Sequence, residues 1–245
     1  MLTNKLEWLG KMAVKPVKPS GYKEVAYTDN HWRRLKTLRN QTRKIMSVLD
    51  EFHLNSTIHG SLARGDVNKT SDIDIFICEI QNSFLVETAL EKGKIPISAR
   101  YVIQATPNYA MKAHIEVNEN TTVSFPLMKM RRIEREFYRF GGEVDFAGLN
   151  LNIRVAGVDK RLMLIEPNEK GHIESSIVGK EEAAAKTLGI CVETVLDRVH
   201  TLTKRDSIGR TGVFVKRELG PDETFELALK KLSEVNPAVR RRMEK

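Results

Sequence analysis

The chain is 245 residues long, enough for one to two domains of ordinary size. Hydrophobic residues at 41% and charged residues at 29% match globular usage, which excludes a disordered or fibrous chain. Forty Lys and Arg against 32 Asp and Glu leave a net charge of +8, and residues 1–50 alone hold eleven of the cations against four acids. Further cations cluster at Arg131, Arg132, Arg135 and Arg139 and at Arg240–Arg242. This balance suits a polyanionic partner, nucleotide or nucleic acid, as well as it suits solubility alone.

The two cysteines, Cys78 and Cys191, both lie in apolar stretches, which excludes a disulfide framework and a four-cysteine zinc site. A reducing, cytoplasmic location is expected. The first twenty residues lack the apolar centre of a signal peptide, and no run approaches the roughly 20 apolar residues that span a bilayer.

In chain order, residues 1–28 read as a basic N-terminal arm, with prolines and a glycine among lysines from residue 11 onward. Asp29 caps a helix running to about Phe52, with Leu35, Leu38, Ile45, Met46 and Leu49 at helical spacing. Residues 56–59 form a short strand ending at Gly60-Ser61, and residues 72–77 a strand that begins acid-apolar-acid-apolar and ends wholly apolar. A helix follows over 83–92, then strands over 97–105, 111–117 and 121–127, with a hairpin at Asn118-Glu119-Asn120. Residues 129–140 read as a basic amphipathic helix stopped by Gly141-Gly142. Beyond it, 149–155 and 161–165 read as strands, and from 180 the pattern is helical apart from a β-like stretch at 212–215. The expected division is an arm at 1–28, an α/β domain at 29–142, a β-rich connector at 143–179 and a small helical domain at 180–245.

The chemistry concentrates between Ile58 and Ile77. Asp72 and Asp74, two apart on a strand, point to one face. Their like charges repel unless a cation lies between them, and magnesium, which takes carboxylate and phosphate oxygens together, is the natural choice. Upstream, Gly60 lets a phosphate chain approach the backbone, while the Ser61 hydroxyl and the amides of a following helix start donate to it. Arg64 adds a fixed positive charge.

This string resembles the signature of the DNA polymerase β-like nucleotidyltransferase superfamily: a Gly-Ser pair, about ten residues, then acid-hydrophobic-acid-hydrophobic. It is similar to small archaeal and bacterial members that open with Gly-Ser-x-Ala-Arg-Gly, and to the corresponding domain of the longer archaeal CCA-adding enzymes. The resemblance covers Gly60–Ile77, with a compatible strand pattern to about Leu127. It implies an α/β (α+β) fold with a mixed twisted sheet and helices on one side. It further implies transfer of a nucleoside monophosphate from a nucleoside triphosphate to a hydroxyl, with two magnesium ions, or manganese in their place. The family adds a third carboxylate from a later strand. In Ala113-His114-Ile115-Glu116-Val117 the apolar residues alternate toward the core, leaving His114 and Glu116 on the cleft side. Glu116 is the first candidate and Asp145 the competing one.

Residues 181–202 resemble the helix-turn-helix of bacterial and archaeal regulators, with Gly189 at the turn and Val195, Val199 and Leu202 as the inner stripe of the second helix. Residues 207–216 then suggest the wing of a winged helix. The outer face would carry Glu193, Thr194, Asp197, Arg198, Thr201 and Arg205, and its two acids sit awkwardly against phosphates.

The leading expectation is a magnesium-dependent nucleotidyltransferase. Asp72, Asp74 and Glu116 would be catalytic and metal-ligating, and Gly60, Ser61 and Arg64 would hold the nucleotide. Arg131, Arg135, Arg198 and Arg205 would touch a nucleic-acid acceptor, RNA before DNA, with no membrane partner. The alternatives are a nucleotidyltransferase-like DNA-binding regulator, and adenylylation of a protein or small molecule. The base, the acceptor and the oligomeric state are not legible in the sequence.

Overall fold

The computed structural model describes residues 21–208 and 212–244, the side chains of 205–208 excepted. The chain begins with β1 (Lys23–Ala26), α1 (Asp29–Glu51), β2 (Ser56–His59), α2 (Ser61–Arg64) and β3 (Ile73–Ile77). Then come α3 (Ser83–Lys92), β4 (Ala99–Gln104), β5 (Lys112–Asn118), β6 (Thr121–Pro126), α4 (Arg132–Phe140) and β7 (Glu143–Asp145). A second group comprises α5 (Phe146–Asn150), β8 (Gly157–Val158), β9 (Met163–Asn168) and β10 (Gly171–Ser176). The chain closes with α6 (Glu181–Leu188), α7 (Val192–Ile208), β11 (Val215–Glu218), α8 (Phe225–Val235) and α9 (Pro237–Met243).

Seven strands form a mixed sheet in the order β11-β4-β5-β6-β3-β2-β7, in which β3 and β6 are parallel and the other pairs antiparallel. Strand alternation gives this sheet two unlike faces. Ile58, Ile73, Ile75, Ile77, Val102, Ala113, Ile115, Val123 and Phe125 make the apolar face, buried under Leu35, Met46 and Leu49 of α1, Val86 and Leu90 of α3, and Phe225 and Leu229 of α8. The opposite face carries the polar alternates. There α4 crosses the sheet, with Tyr138 stacked on Phe76 at 3.8 Å between ring centroids and Lys112 Nζ donating to the Tyr138 hydroxyl at 2.7 Å.

A second sheet, β1-β10-β9-β8, packs with α6 and α7 around Val158, Leu162, Leu164, Ile177, Ala185 and Val195. Of the arm expected at 1–28, residues 1–20 lie outside the described residues, and Lys23–Ala26 is an edge strand paired with β10. The strand expected over 149–155 is replaced by α5 and a turn. The Asp145 carboxylate accepts from the Gly148 amide and starts a helical turn, and Asn152, at φ 58°, reverses the chain.

The unit expected at 180–245 is divided. Helices α6 and α7 join the second sheet, while β11 pairs with β4, and Leu219, Phe225, Leu229 and Val239 enter the core of the first. Its β-like stretch therefore extends the large sheet instead of forming a wing, and residues 209–211 of that expected wing lie outside the described residues.

Candidate active site

The polar face of the large sheet is organised by register. In β3, Asp74 stands opposite Thr122 of β6, and Thr122 stands opposite Glu116 of β5. The antiparallel pairing of Ile58 with Ile75 brings His59 opposite Asp74 on the other side. Asp72 precedes β3 and shares the face of Asp74 by alternation. Asp74 is exposed and Asp72 half-buried, so the two carboxylates lie at the open end of the cleft.

The chain enters this end through Gly60, which takes φ 75° and ψ −144°, a conformation that L side chains rarely adopt. The Gly60 amide donates to the Gly142 carbonyl at 3.0 Å, and α2 starts at once, with Ala63 making the first internal amide bond back to the Gly60 carbonyl. The preceding amides of Ser61 and Leu62 belong to the helix start that lacks internal acceptors. Ser61 Oγ donates to Ser71 Oγ at 3.2 Å, so the turn and the loop before Asp72 are joined by their hydroxyls. Buried Arg39 of α1 grips α2 from behind, donating to the carbonyls of Leu62 at 2.8 Å and Ala63 at 3.2 Å. Burial, then Arg154 and Arg43, pull its pKa down to about 10.

Arg64 departs from the expected role. Its guanidinium donates to the Gly141 carbonyl at 2.6 Å and pairs with Asp66 at 2.9 Å, and its side chain is only 6% exposed. It fastens the turn to the end of α4. Glu116 does lie on the cleft face, but two strands from Asp74, roughly 10 Å at ordinary strand spacing. Thr122 holds the place beside Asp74. Asp145 is placed farther off still, at the N-cap of α5 and in register with Thr57. Among the described residues, no group of three His, Cys, Asp or Glu side chains is placed to hold a metal ion. The donor set that remains, Asp72 with Asp74, still fits magnesium, which is commonly bound by one or two carboxylates plus substrate phosphates.

Two histidines on this face drew no assignment from the sequence as ligands or catalysts. Burial lowers the pKa of His59 against the opposing pull of Asp74, and its ring meets Tyr138 edge-on at 4.9 Å. The pKa of His114 is pushed down to about 3 by burial and by Lys112 and Lys216. Burial thus disfavours the charged form of both. The placement of His59 beside the second aspartate depends on strand pairing, which its local sequence does not show.

The four expected nucleic-acid contacts separate. Arg131 pairs with Glu134 at 3.0 Å and lies over the Tyr109 ring, half-exposed. Arg135 is turned to Glu143 at 2.8 Å and to Cys78 Sγ. Arg198 lies over the Phe137 ring of α4, and the Arg205 side chain lies outside the described residues. The outer face expected for α7 is partly turned inward. Thr194 is buried with its hydroxyl on the Glu136 carboxylate, and Asp197 accepts from the Tyr109 hydroxyl. The α6–turn–α7 unit exists, with Gly189 left-handed at its turn, but it packs as a cover over α4 and the second sheet.

The chain matches none of the curated proteins at a significant level. Among solved structures it is similar to two of a CCA-adding enzyme, one in complex with ATP and one in an apo form, each at 14% identity. The alignments cover 92% and 91% of this chain and 51% and 54% of theirs, with TM-scores of 0.32 and 0.30, so the chain spans about half the length of those enzymes. A family model described as a nucleotidyltransferase domain matches residues 39–138, from the middle of α1 to the last turn of α4. That span holds the Gly60-Ser61 turn, the Asp72–Asp74 pair and five of the seven strands of the mixed sheet, β2 to β6, so it is residues 39–138 that match a nucleotidyltransferase domain.

Proposed function

We propose that this protein transfers a nucleoside monophosphate from a nucleoside triphosphate to a hydroxyl on an acceptor, RNA being the acceptor class, in a magnesium-dependent reaction. The observation that carries this reading is the convergence of Gly60, Ser61, Asp72 and Asp74 at one open end of the polar sheet face. Asp72 and Asp74 would hold the metal, manganese being able to replace magnesium. When bound, the ion supplies neutralisation of charge on the transferred phosphoryl group and lowers the pKa of an attacking hydroxyl.

The chain's own residues do the rest. Gly60 leaves open space where a side chain would stand, and the Ser61 hydroxyl with the first amides of α2 donates to phosphate oxygens. Arg39 and Arg64 hold that turn in place through backbone carbonyls. Glu116 faces the pair across Thr122, a position from which its longer side chain would orient or deprotonate an acceptor hydroxyl.

A second reading has one observation in its favour. With Thr122 in the place beside Asp74, the protein would bind nucleotide as a sensor and not turn it over. Incubation with each labelled nucleoside triphosphate, magnesium and total RNA separates the two. Label in RNA supports transfer to RNA; label in protein or small molecules moves the acceptor to those classes. Calorimetric nucleotide binding with no label transferred supports the sensor.

A further inference from the structure

A second cleft lies at the other end of α4 from Gly60. It measures about 240 Å³ and is lined by Asn108, Lys129, Arg131, Ala238, Arg241 and Arg242, among others. Two basic segments more than a hundred residues apart in sequence meet here because α9 docks on the start of α4. Arg242 does the docking: its buried guanidinium pairs with Glu134 at 3.0 Å and donates to the carbonyls of Lys129 at 2.8 Å and Asn108 at 3.1 Å. Glu134 also accepts from the amides of Arg131 and Ala110. Burial pushes its carboxyl up, but these bonds and those from Arg131 and Arg242 outweigh burial and hold it ionised below the usual range. Glu134 is therefore fully engaged in the wall, and among the described residues no carboxylate pairs with Lys129 or Arg241, which are both exposed.

We propose that this cleft binds a backbone phosphate of a nucleic-acid strand whose end reaches Asp72 and Asp74. Two arginine forks and one ammonium around a single open cavity suit the several oxygens of a phosphate better than a lone carboxylate. Arg131 is already oriented, lying 5.2 Å over the Tyr109 ring while paired with Glu134. The distance fits a strand as well. Helix α4 has nine residues, and its C-terminal glycines hold the Gly60 amide. At 1.5 Å per residue with the flanking turns, the cleft and the Gly60 turn are roughly 15 Å apart, about four stacked nucleotides at 3.4 Å each. This inference rests on the transfer reading for what the strand is bound for, and gives that reading an acceptor path.

The test is fluorescence anisotropy with a short fluorescein-labelled oligoadenylate through a salt series, on the full chain. Lys129→Glu with Arg241→Glu should weaken binding at least about tenfold. It should also flatten the slope of log affinity against log salt by about 0.7, the share of the one phosphate that the cleft holds on a single strand. Lys36→Glu with Lys44→Glu, the same charge change on exposed residues of α1, should stay within about twofold of wild type. Arg241→Gln alone, on an exposed side chain, should lose about threefold and guards against misfolding of the double variant. Equal weakening by the cleft and α1 pairs, no wild-type binding at low salt, or competition by polyglutamate as strong as by RNA would each overturn the proposal. Cleft-dependent RNA binding without label transfer would remove the transfer reading and leave the cleft standing. Transfer with cleft variants that bind RNA like wild type would do the reverse.

Discussion

Asp74 and Glu116 share one face of the sheet yet stand two strands apart, each in register with the same residue, Thr122. The two carboxylates are thereby given different work. Asp74→Asn or Asp72→Asn should reduce transfer by orders of magnitude and leave the fold intact, because removing one of two like charges relieves repulsion. Glu116→Gln should cost less, on the order of ten- to a hundredfold, and Thr122→Asp should raise magnesium affinity in a calorimetric titration. Turnover of Asp74→Asn equal to wild type would remove the catalytic assignment.

The Gly60 turn allows a prediction in which strain and clash are separable. A Cβ at Gly60 meets nothing within 4 Å, yet φ is 75°. Gly60→Ala should therefore destabilise by roughly 1–3 kcal/mol through backbone conformation alone, and weaken nucleotide binding as the turn relaxes. Ser61→Ala should leave stability nearly unchanged while weakening triphosphate binding by about 1–3 kcal/mol, measured by calorimetry. Equal nucleotide affinity in both variants and wild type would place the nucleotide elsewhere.

Arg39 tests the support behind the turn. Its guanidinium is buried and serves the carbonyls of Leu62 and Ala63. Arg39→Met leaves those acceptors without their charged donor and should cost roughly 2–4 kcal/mol in urea unfolding. Arg39→Lys should recover part of that. A loss of nucleotide affinity larger than the unfolding can explain would mark Arg39 as a positioning residue for the phosphates.

His114 sets a pH dependence. With its folded pKa near 3 against an ordinary value of 6.5, the unfolded chain binds the proton more readily. Its contribution to stability is thus complete above about pH 6.5 and falls as pH drops toward 3, with a limiting slope of roughly 1.4 kcal/mol per pH unit. His59 and His172, both lowered by burial, act in the same direction. His114→Gln should flatten the acid limb of a stability–pH curve; an unchanged limb would show that other groups set it.

Truncation after Gly179 should fail to yield a folded catalytic domain, because Phe225, Leu229 and Val239 lie in the core of the large sheet. Losing two or three such side chains at roughly 3–5 kcal/mol each exceeds much of a typical domain's 5–15 kcal/mol. A soluble, cooperatively melting 1–179 fragment would contradict this.

The elements around the site were legible because each follows a local rule. The α1 stripe, the 83–92 helix and the strands of residues 99–126 fall where periodicity puts them, and the Gly-Ser and Asp-x-Asp pieces of the site are contiguous in sequence. What escaped depends on pairings between distant strands. Nothing near Glu116 says that β6 inserts between β5 and β3, and nothing near Arg64 says that a carbonyl 77 residues away will take its guanidinium. The α6–α7 turn shows the opposite failure. Its local pattern is real, but an inward Thr194 and Asp197 bond to α4 and to Tyr109 and occupy the face a groove would need.

The pairing of β11 with β4 also has a consequence for synthesis. Gln104 leaves the ribosome more than a hundred residues before its partner Val215. At about 5–20 residues per second, the β4 edge waits roughly 5–20 s with its hydrogen-bonding groups open to other chains. Arg100, whose guanidinium later takes the carbonyls of Gly220 and Pro221, keeps a charge on that waiting edge. Replacing it with an apolar residue should show as aggregation during expression before it shows as lost stability in the finished protein.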